Sequence, residues 1–116
     1  MIDNAVLAKM LRQFAKERDW EAFHTPKNLA LALSVEASEL VEIFQWSRGE
    51  QGWDELHDAV VRLRVEEELA DVLLYLIRFA DLAEIDLHSA ALGKLATNAV
   101  KYPVDSFKGS DKKYNE

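Results

Sequence analysis

Apolar residues recur every three or four positions through most of this 116-residue chain, and only four glycines and two prolines interrupt them. That spacing gathers apolar side chains on one side of an α-helix, whereas a half-buried strand needs alternation, which is hard to find here. Residues 3–18 place Val6, Leu7, Met10, Leu11 and Phe14 on one stripe, with Asp3 as the expected cap. Residues 20–26 read as an aromatic connector, and Pro26 suits the first turn of the next helix. A second helix over 27–46 carries Leu29, Leu33, Leu40 and Ile43 at core spacing. Residues 47–52, SRGEQG, form the clearest break. A third helix is expected over 53–85, with no Gly or Pro after the break, and a fourth over 87–102, stopped by Pro103. The pattern predicts an all-α four-helix bundle over residues 1–102, followed by a polar tail, 103–116, disordered or ordered only against a partner.

A third helix of about 33 residues would run roughly 50 Å, long for a domain whose radius of gyration should be about 13 Å. Its apolar positions Leu73, Leu74, Leu76, Ile77 and Phe79 also fall on more than one face. A helix apolar nearly all round needs cover on all sides, so oligomerisation is expected, the alternative being a bent helix in a monomer.

Acidic residues outnumber basic ones 21 to 14, for a net charge of −7. This argues against a protein that grips nucleic acid or an anionic membrane through its surface charge, but leaves room for a cation between carboxylates and phosphates. The absence of cysteine excludes disulfides, thiolate metal sites and a Cys nucleophile, and three histidines make a His-rich zinc centre a poor expectation. Charges interrupt every apolar stretch before a membrane span is reached. The opening MIDNAVLAKMLRQFAKERDW lacks the basic start and cleavage site of a signal peptide, so a soluble cytoplasmic protein is expected.

Acidic pairs at i, i+3 occur five times, and chance alone gives roughly four in a chain this acidic, so spacing alone is a weak signal. The face each pair occupies separates them. With Glu36 at 0°, Leu29, Leu40, Leu33 and Ile43 fall within about 60° of it and Glu39 near 300°. With Glu68 at 0°, Phe79, Val72, Val65 and Tyr75 do the same, with Asp71 near 300°. Charge is rarely placed on a core face unless something pairs with it. Two helices offering ExxE and ExxD inward can meet as four carboxylates, whose repulsion a hard divalent cation relieves; oxygen-only ligands suit Mg²⁺, with Mn²⁺ as a substitute. A di-iron bundle would want Glu-x-x-His, which these pairs lack. The alternatives are neutralisation by Arg62, Arg64 or Arg78 and a solvated groove. Glu66 and Glu67 face away from the stripe and Glu42 lies at its border, while Glu55/Asp58 and Asp81/Glu84 read as surface charge.

The segment ERDWEAFHTPKNLALALSVEASELVEIFQW, then EEELADVLLYLIRFA and KLATNAVKYPV, resembles the all-α nucleoside triphosphate pyrophosphohydrolases, within them the MazG-like dCTP pyrophosphatase group. The resemblance runs from about Arg12 to the tail. It implies hydrolysis between the α- and β-phosphates of a dNTP, dCTP favoured and others such as dATP accepted, to a monophosphate and pyrophosphate in nucleotide-pool house-cleaning. It implies Glu36, Glu39, Glu68 and Asp71 as Mg²⁺ ligands and catalytic acids; which carboxylate takes the proton stays open, with Glu39 preferred and Glu36 its rival. It places base and sugar recognition on Trp20, His24, Trp46 and Tyr75, where aromatic faces suit stacking on a base. Asn98 fits a polar ligand contact, and Lys94 and Lys101 phosphate contacts; helix capping and surface solvation are the alternatives. Relatives assemble as dimers or tetramers with pockets shared between chains. Two departures stand out. Val35 replaces the first acid of the double Glu common in bacterial MazG, and Leu11 falls where related enzymes carry a base-lining His, which argues against strict cytosine selectivity. Two other readings share this pattern: a helical oligomerisation or binding module without turnover, and a phosphohydrolase of another pyrophosphate-bearing metabolite.

Overall fold

The structure, a computed structural model, describes residues 1–49 and 52–113. Every regular element among them is helical: α1 (Asn4–Glu17), α2 (Pro26–Ile43), α3 (Ala59–Ala83), α4 (Leu87–Lys101) and the short α5 (Val104–Phe107), with 3-10 turns at Glu21–Phe23 and Asp54–His57. The all-α expectation holds, with four long helices. The chain divides into two compact units, Met1–Ala83 with α1 to α3 and Glu84–Glu116 with α4 and α5. Residues 50 and 51 of the expected break, and 114–116 of the expected tail, lie outside the described residues.

Helix ends are set by local chemistry. The Asp3 carboxylate accepts the Val6 N–H at 3.1 Å and opens α1 as expected. At the other end Trp20 N–H reaches the Ala15 carbonyl at 2.9 Å and Asp19 N–H that of Lys16 at 3.2 Å, with Asp19 at φ 57°. This is the reciprocal closure usually built on glycine, here carried by an aspartate, one of the few side chains that tolerate left-handed backbone. α2 opens on Thr25, whose Oγ1 accepts the Asn28 N–H at 3.2 Å, with Pro26 in its first turn.

Two expected ends move. α2 stops at Ile43 and not at 46, because the N–H groups of Phe44, Gln45 and Ser47 reach back only three residues, which tightens the chain into turns. α3 begins at Ala59 and not at 53. Asp58 is extended (ψ 121°), and its carboxylate accepts the Val60 and Val61 N–H groups at 2.9 and 3.2 Å, so a residue read as surface charge is a helix cap. Glu84, at φ 56°, ends α3 at Ala83. The helix therefore has 25 residues, about 38 Å, which removes length as an argument for assembly.

Within Met1–Ala83, α3 packs against both α2 and α1. Leu29, Ile77, Ala80, Ala8 and Ala15 are buried. The stripe expected to bury α1 is only half right: Leu7 and Leu11 are half-buried, but Val6, Met10 and Phe14 are exposed. Ala8 and Ala15, two turns apart, carry the contact instead, because small side chains let two helices approach closely. Exposed Leu31, Val35 and Val41 on α2, and Leu63 and Leu69 on α3, leave apolar surface uncovered in the single chain.

In Glu84–Glu116, Asp86 caps α4 by accepting both the N–H and the hydroxyl of Ser89 at 3.1 Å. The segment expected as a polar tail begins with a helical turn, α5, and Phe107 meets Tyr102 edge to face at 5.0 Å. No described helix is long and apolar enough to cross a membrane.

Candidate active site

The inward acidic pairs of α2 and α3 meet. Glu36, Glu39 and Glu68 each offer a carboxylate oxygen, and these lie within 4.8 Å of one another, all three residues half-buried. Asp71, one turn along α3 from Glu68, is outside that trio but close enough for its charge to raise both Glu36 and Glu68. Glu36 Oε2 and Glu68 Oε2 are buried and receive no hydrogen bond from any donor of the described chain. The three arginines of the sequence expectation are engaged elsewhere or exposed: Arg62 pairs with Glu66 at 3.3 Å, Arg64 is exposed, and Arg78 faces His24 and Asp81.

Negative charge with no positive partner must take up protons or a cation. Glu36 is pushed up to about 7, chiefly by sharing a proton with Glu68, then by burial and the neighbouring Glu39 and Asp71. For Glu68 the Glu36 contact acts downward, but burial and the charges of Glu39 and Asp71 outweigh it and leave it raised. A proton shared between two carboxylates is what such a cluster adopts when nothing else neutralises it. Buried oxygens without donors, all carboxylate and with no nitrogen or sulfur ligand, fit a hard divalent cation.

Beside this cluster lies a cavity of about 260 Å³. Asp71 lines it, and Trp20, Tyr75 and His24 supply its aromatic walls, with Leu11, Phe14, Leu74 and Arg78 completing them. The turn that closes α1 delivers Trp20, whose ring meets Phe14 edge to face at 5.8 Å, and the Arg18 guanidinium covers Phe14 at 3.5 Å. His24 follows the 3-10 turn, pinned by the Asn28 side chain donating to the Phe23 carbonyl at 2.9 Å. Tyr75 stands one turn after Asp71 on α3.

Trp46 is elsewhere. It lies in the turns after α2, is 89% exposed in the single chain, and does not line this cavity. Lys94, Asn98 and Lys101 belong to the other unit, where they line a cavity of about 870 Å³ together with Lys108, Lys112 and Lys113.

Sequence reasoning missed one group. Arg78 is 5% exposed and its Nε donates to His24 Nδ1 at 3.0 Å. Asp81, read as surface charge, accepts Arg12 Nε and a second Arg12 nitrogen at 2.7 and 2.6 Å and faces Arg78 at 3.9 Å. The Arg12 hydrogen bonds hold Asp81 below the usual carboxylate range. The His24 pKa is lowered, by burial first and by the Arg78 charge second. The available signal was the i, i+4, i+7 spacing of Asp71, Tyr75 and Arg78, which puts all three on one face.

The chain is similar to proteins of known sequence and structure. The dCTP pyrophosphatase 1 of Bos taurus is 42% identical over 110 residues, covering 95% of this chain and 65% of that protein. Human dCTP pyrophosphatase 1 is 42% identical over 114 residues with the same coverage. The chain thus spans 65% of the length of the curated relatives it matches. The crystal structure of a pyrophosphatase from Archaeoglobus fulgidus DSM 4304 superposes with a TM-score of 0.79 at 44% identity, over 85% of this chain and 91% of that one. The sequence pattern of the MazG-like family matches residues 31–116, a span that includes all four inward acids and Tyr75. On that match the chain belongs to the MazG-like family.

Proposed function

We propose that the protein is a Mg²⁺-dependent nucleoside triphosphate pyrophosphohydrolase that cleaves dNTPs between the α- and β-phosphates, dCTP favoured, as nucleotide-pool house-cleaning. The observation that carries this is the pair of buried, donor-less oxygens on Glu36 and Glu68, next to an aromatic cavity. Names of relatives at 42% identity point to the same activity. Glu36, Glu39, Glu68 and Asp71 would hold the cation, with Mn²⁺ as a substitute. Bound there, a divalent cation offsets the negative charge of carboxylates and phosphates and polarises the anhydride.

The chain's own groups do the rest. A carboxylate of the trio orients the attacking water and takes its proton, Glu39 in our reading, with Glu36 as the alternative. Trp20 and Tyr75 flank the base, and Leu11 adds an apolar wall with no hydrogen-bonding group, which favours acceptance of more than one base. Trp46, exposed in the free chain, closes on ligand or on a partner chain. Lys94, Asn98 and Lys101 contact phosphates in a dimer or tetramer with shared sites, an assembly that the uncovered apolar surface supports. The reading places the protein in the cytoplasm, with a nucleotide as its partner and neither nucleic acid nor membrane.

Product analysis of the purified protein with Mg²⁺ and each dNTP and NTP tests this. Monophosphate plus pyrophosphate, lost on chelation, is expected; diphosphate plus phosphate, or no turnover, would overturn it.

A further inference from the structure

Among the described residues the His24 ring makes one hydrogen bond, and its partner leaves no choice of direction. Arg78 Nε is a guanidinium N–H, a donor with no acceptor capacity, and it donates to His24 Nδ1 at 3.0 Å, so Nδ1 must be the unprotonated nitrogen. The ring proton is then on Nε2, and no described residue accepts it. Arg78 is itself held: it is 5% exposed, and its guanidinium faces Asp81 at 3.9 Å. Asp81 is fixed from the other side by two hydrogen bonds from Arg12 of α1. The chain Arg12–Asp81–Arg78–His24 therefore runs from the surface of α1, across α3, to the wall of the aromatic cavity.

From this geometry we infer that Arg78 is a positioning residue for the cavity: it fixes His24 as the Nε2–H tautomer, so that the ring offers a donor to an acceptor atom of the ligand's base. Its ligand half rests on the nucleotide reading above. The other walls are aromatic or aliphatic apart from Asp71, itself an acceptor, and Arg78, so a donor of fixed direction selects among bases that stacking alone accepts. The role differs from charge neutralisation, since an ion pair with Asp81 alone would leave the imidazole free to take either tautomer.

The test is ¹⁵N NMR of histidine-labelled protein without nucleotide, with His24→Gln identifying the His24 signals among the three histidines. Native protein should show an unprotonated Nδ1 and a protonated Nε2; Arg78→Met should show a mixture of tautomers. The opposite tautomer in native protein, or a mixture there, overturns the proposal, as does a tautomer unchanged in Arg78→Met. If Arg78→Met fails to fold, the native spectrum still decides. Kinetics adds an independent arm. Arg78→Met should raise KM for dCTP about tenfold, the worth of one hydrogen bond, with kcat changed less. His24→Gln keeps a donor near Nε2 without a tautomer, so in that background Arg78→Met should raise KM less than it does in native protein; an equal rise there overturns the positioning role. Absence of nucleotide turnover would instead overturn the functional reading, and the nucleotide-free spectrum would then decide the role of Arg78 by itself.

Discussion

Two charged clusters share α3 and treat charge in opposite ways. Around Arg78 and Asp81 each charged group has an opposite partner: Arg12 reaches Asp81 with two hydrogen bonds, and Arg78 divides itself between Asp81 and His24. About three turns earlier on α3, Glu68 meets Glu36 and Glu39 of α2, and two oxygens of this trio are buried without a donor among the described residues. The paired cluster joins α1 to α3 and aims a side chain. The unpaired one gathers like charge, and the Glu36 carboxyl is raised to about 7 as the sign of its cost. A charge set that the chain leaves unneutralised marks where charge from outside belongs.

The largest effect should come from Glu36→Gln, which keeps the shape and removes one charge. Turnover of dCTP should fall by about 10²-fold or more, while circular dichroism keeps its helical signal. Loss of helicity would assign the cluster to folding and erase the contrast. Next comes the pH dependence without metal. Folding raises Glu36 from 4.5 to about 7, so in that window the native state binds more protons than the unfolded chain, and stability falls as pH rises. In chelator, Tm should drop by several degrees between pH 5 and 8; with Mg²⁺ the drop should shrink, because the cation takes the place of the proton. Curves that superpose with and without Mg²⁺ would break the comparison.

The paired cluster should answer differently. Asp81→Asn leaves buried Arg78 without its carboxylate and should cost about 2 kcal/mol by urea denaturation, below the cost of breaking a fully buried pair, while cation binding survives. The smallest stability effect is expected for Trp46→Ala, within about 0.5 kcal/mol, since that ring is 89% exposed. Its KM for dCTP should nevertheless rise, and an unchanged KM would remove Trp46 from the site.

These contrasts also bound what the sequence made legible. The number of long helices and the carboxylate face followed from periodicity, because a 3.6-residue repeat fixes which side chains share a side, and acids on an apolar stripe stand out. The ends of α2 and α3 did not follow, since they depend on where N–H groups find acceptors, as at Asp58, and on backbone sign, as at Glu84. The α1 contact was misjudged because bulk was taken as the mark of burial, while Ala8 and Ala15 do the packing. Arg78 and Asp81 were hidden because their partners are distant in sequence: Asp81 and Arg12 stand 69 residues apart, Arg78 and His24 54. A pairing of that range has no local spacing to betray it.

The most direct test is a calorimetric titration of Mg²⁺, and of Mn²⁺, into native protein, Glu36→Gln and Asp81→Asn at pH 8. The account predicts saturable binding to native protein and to Asp81→Asn, and its loss in folded Glu36→Gln. Binding that survives in Glu36→Gln, or that is absent from native protein, would contradict it.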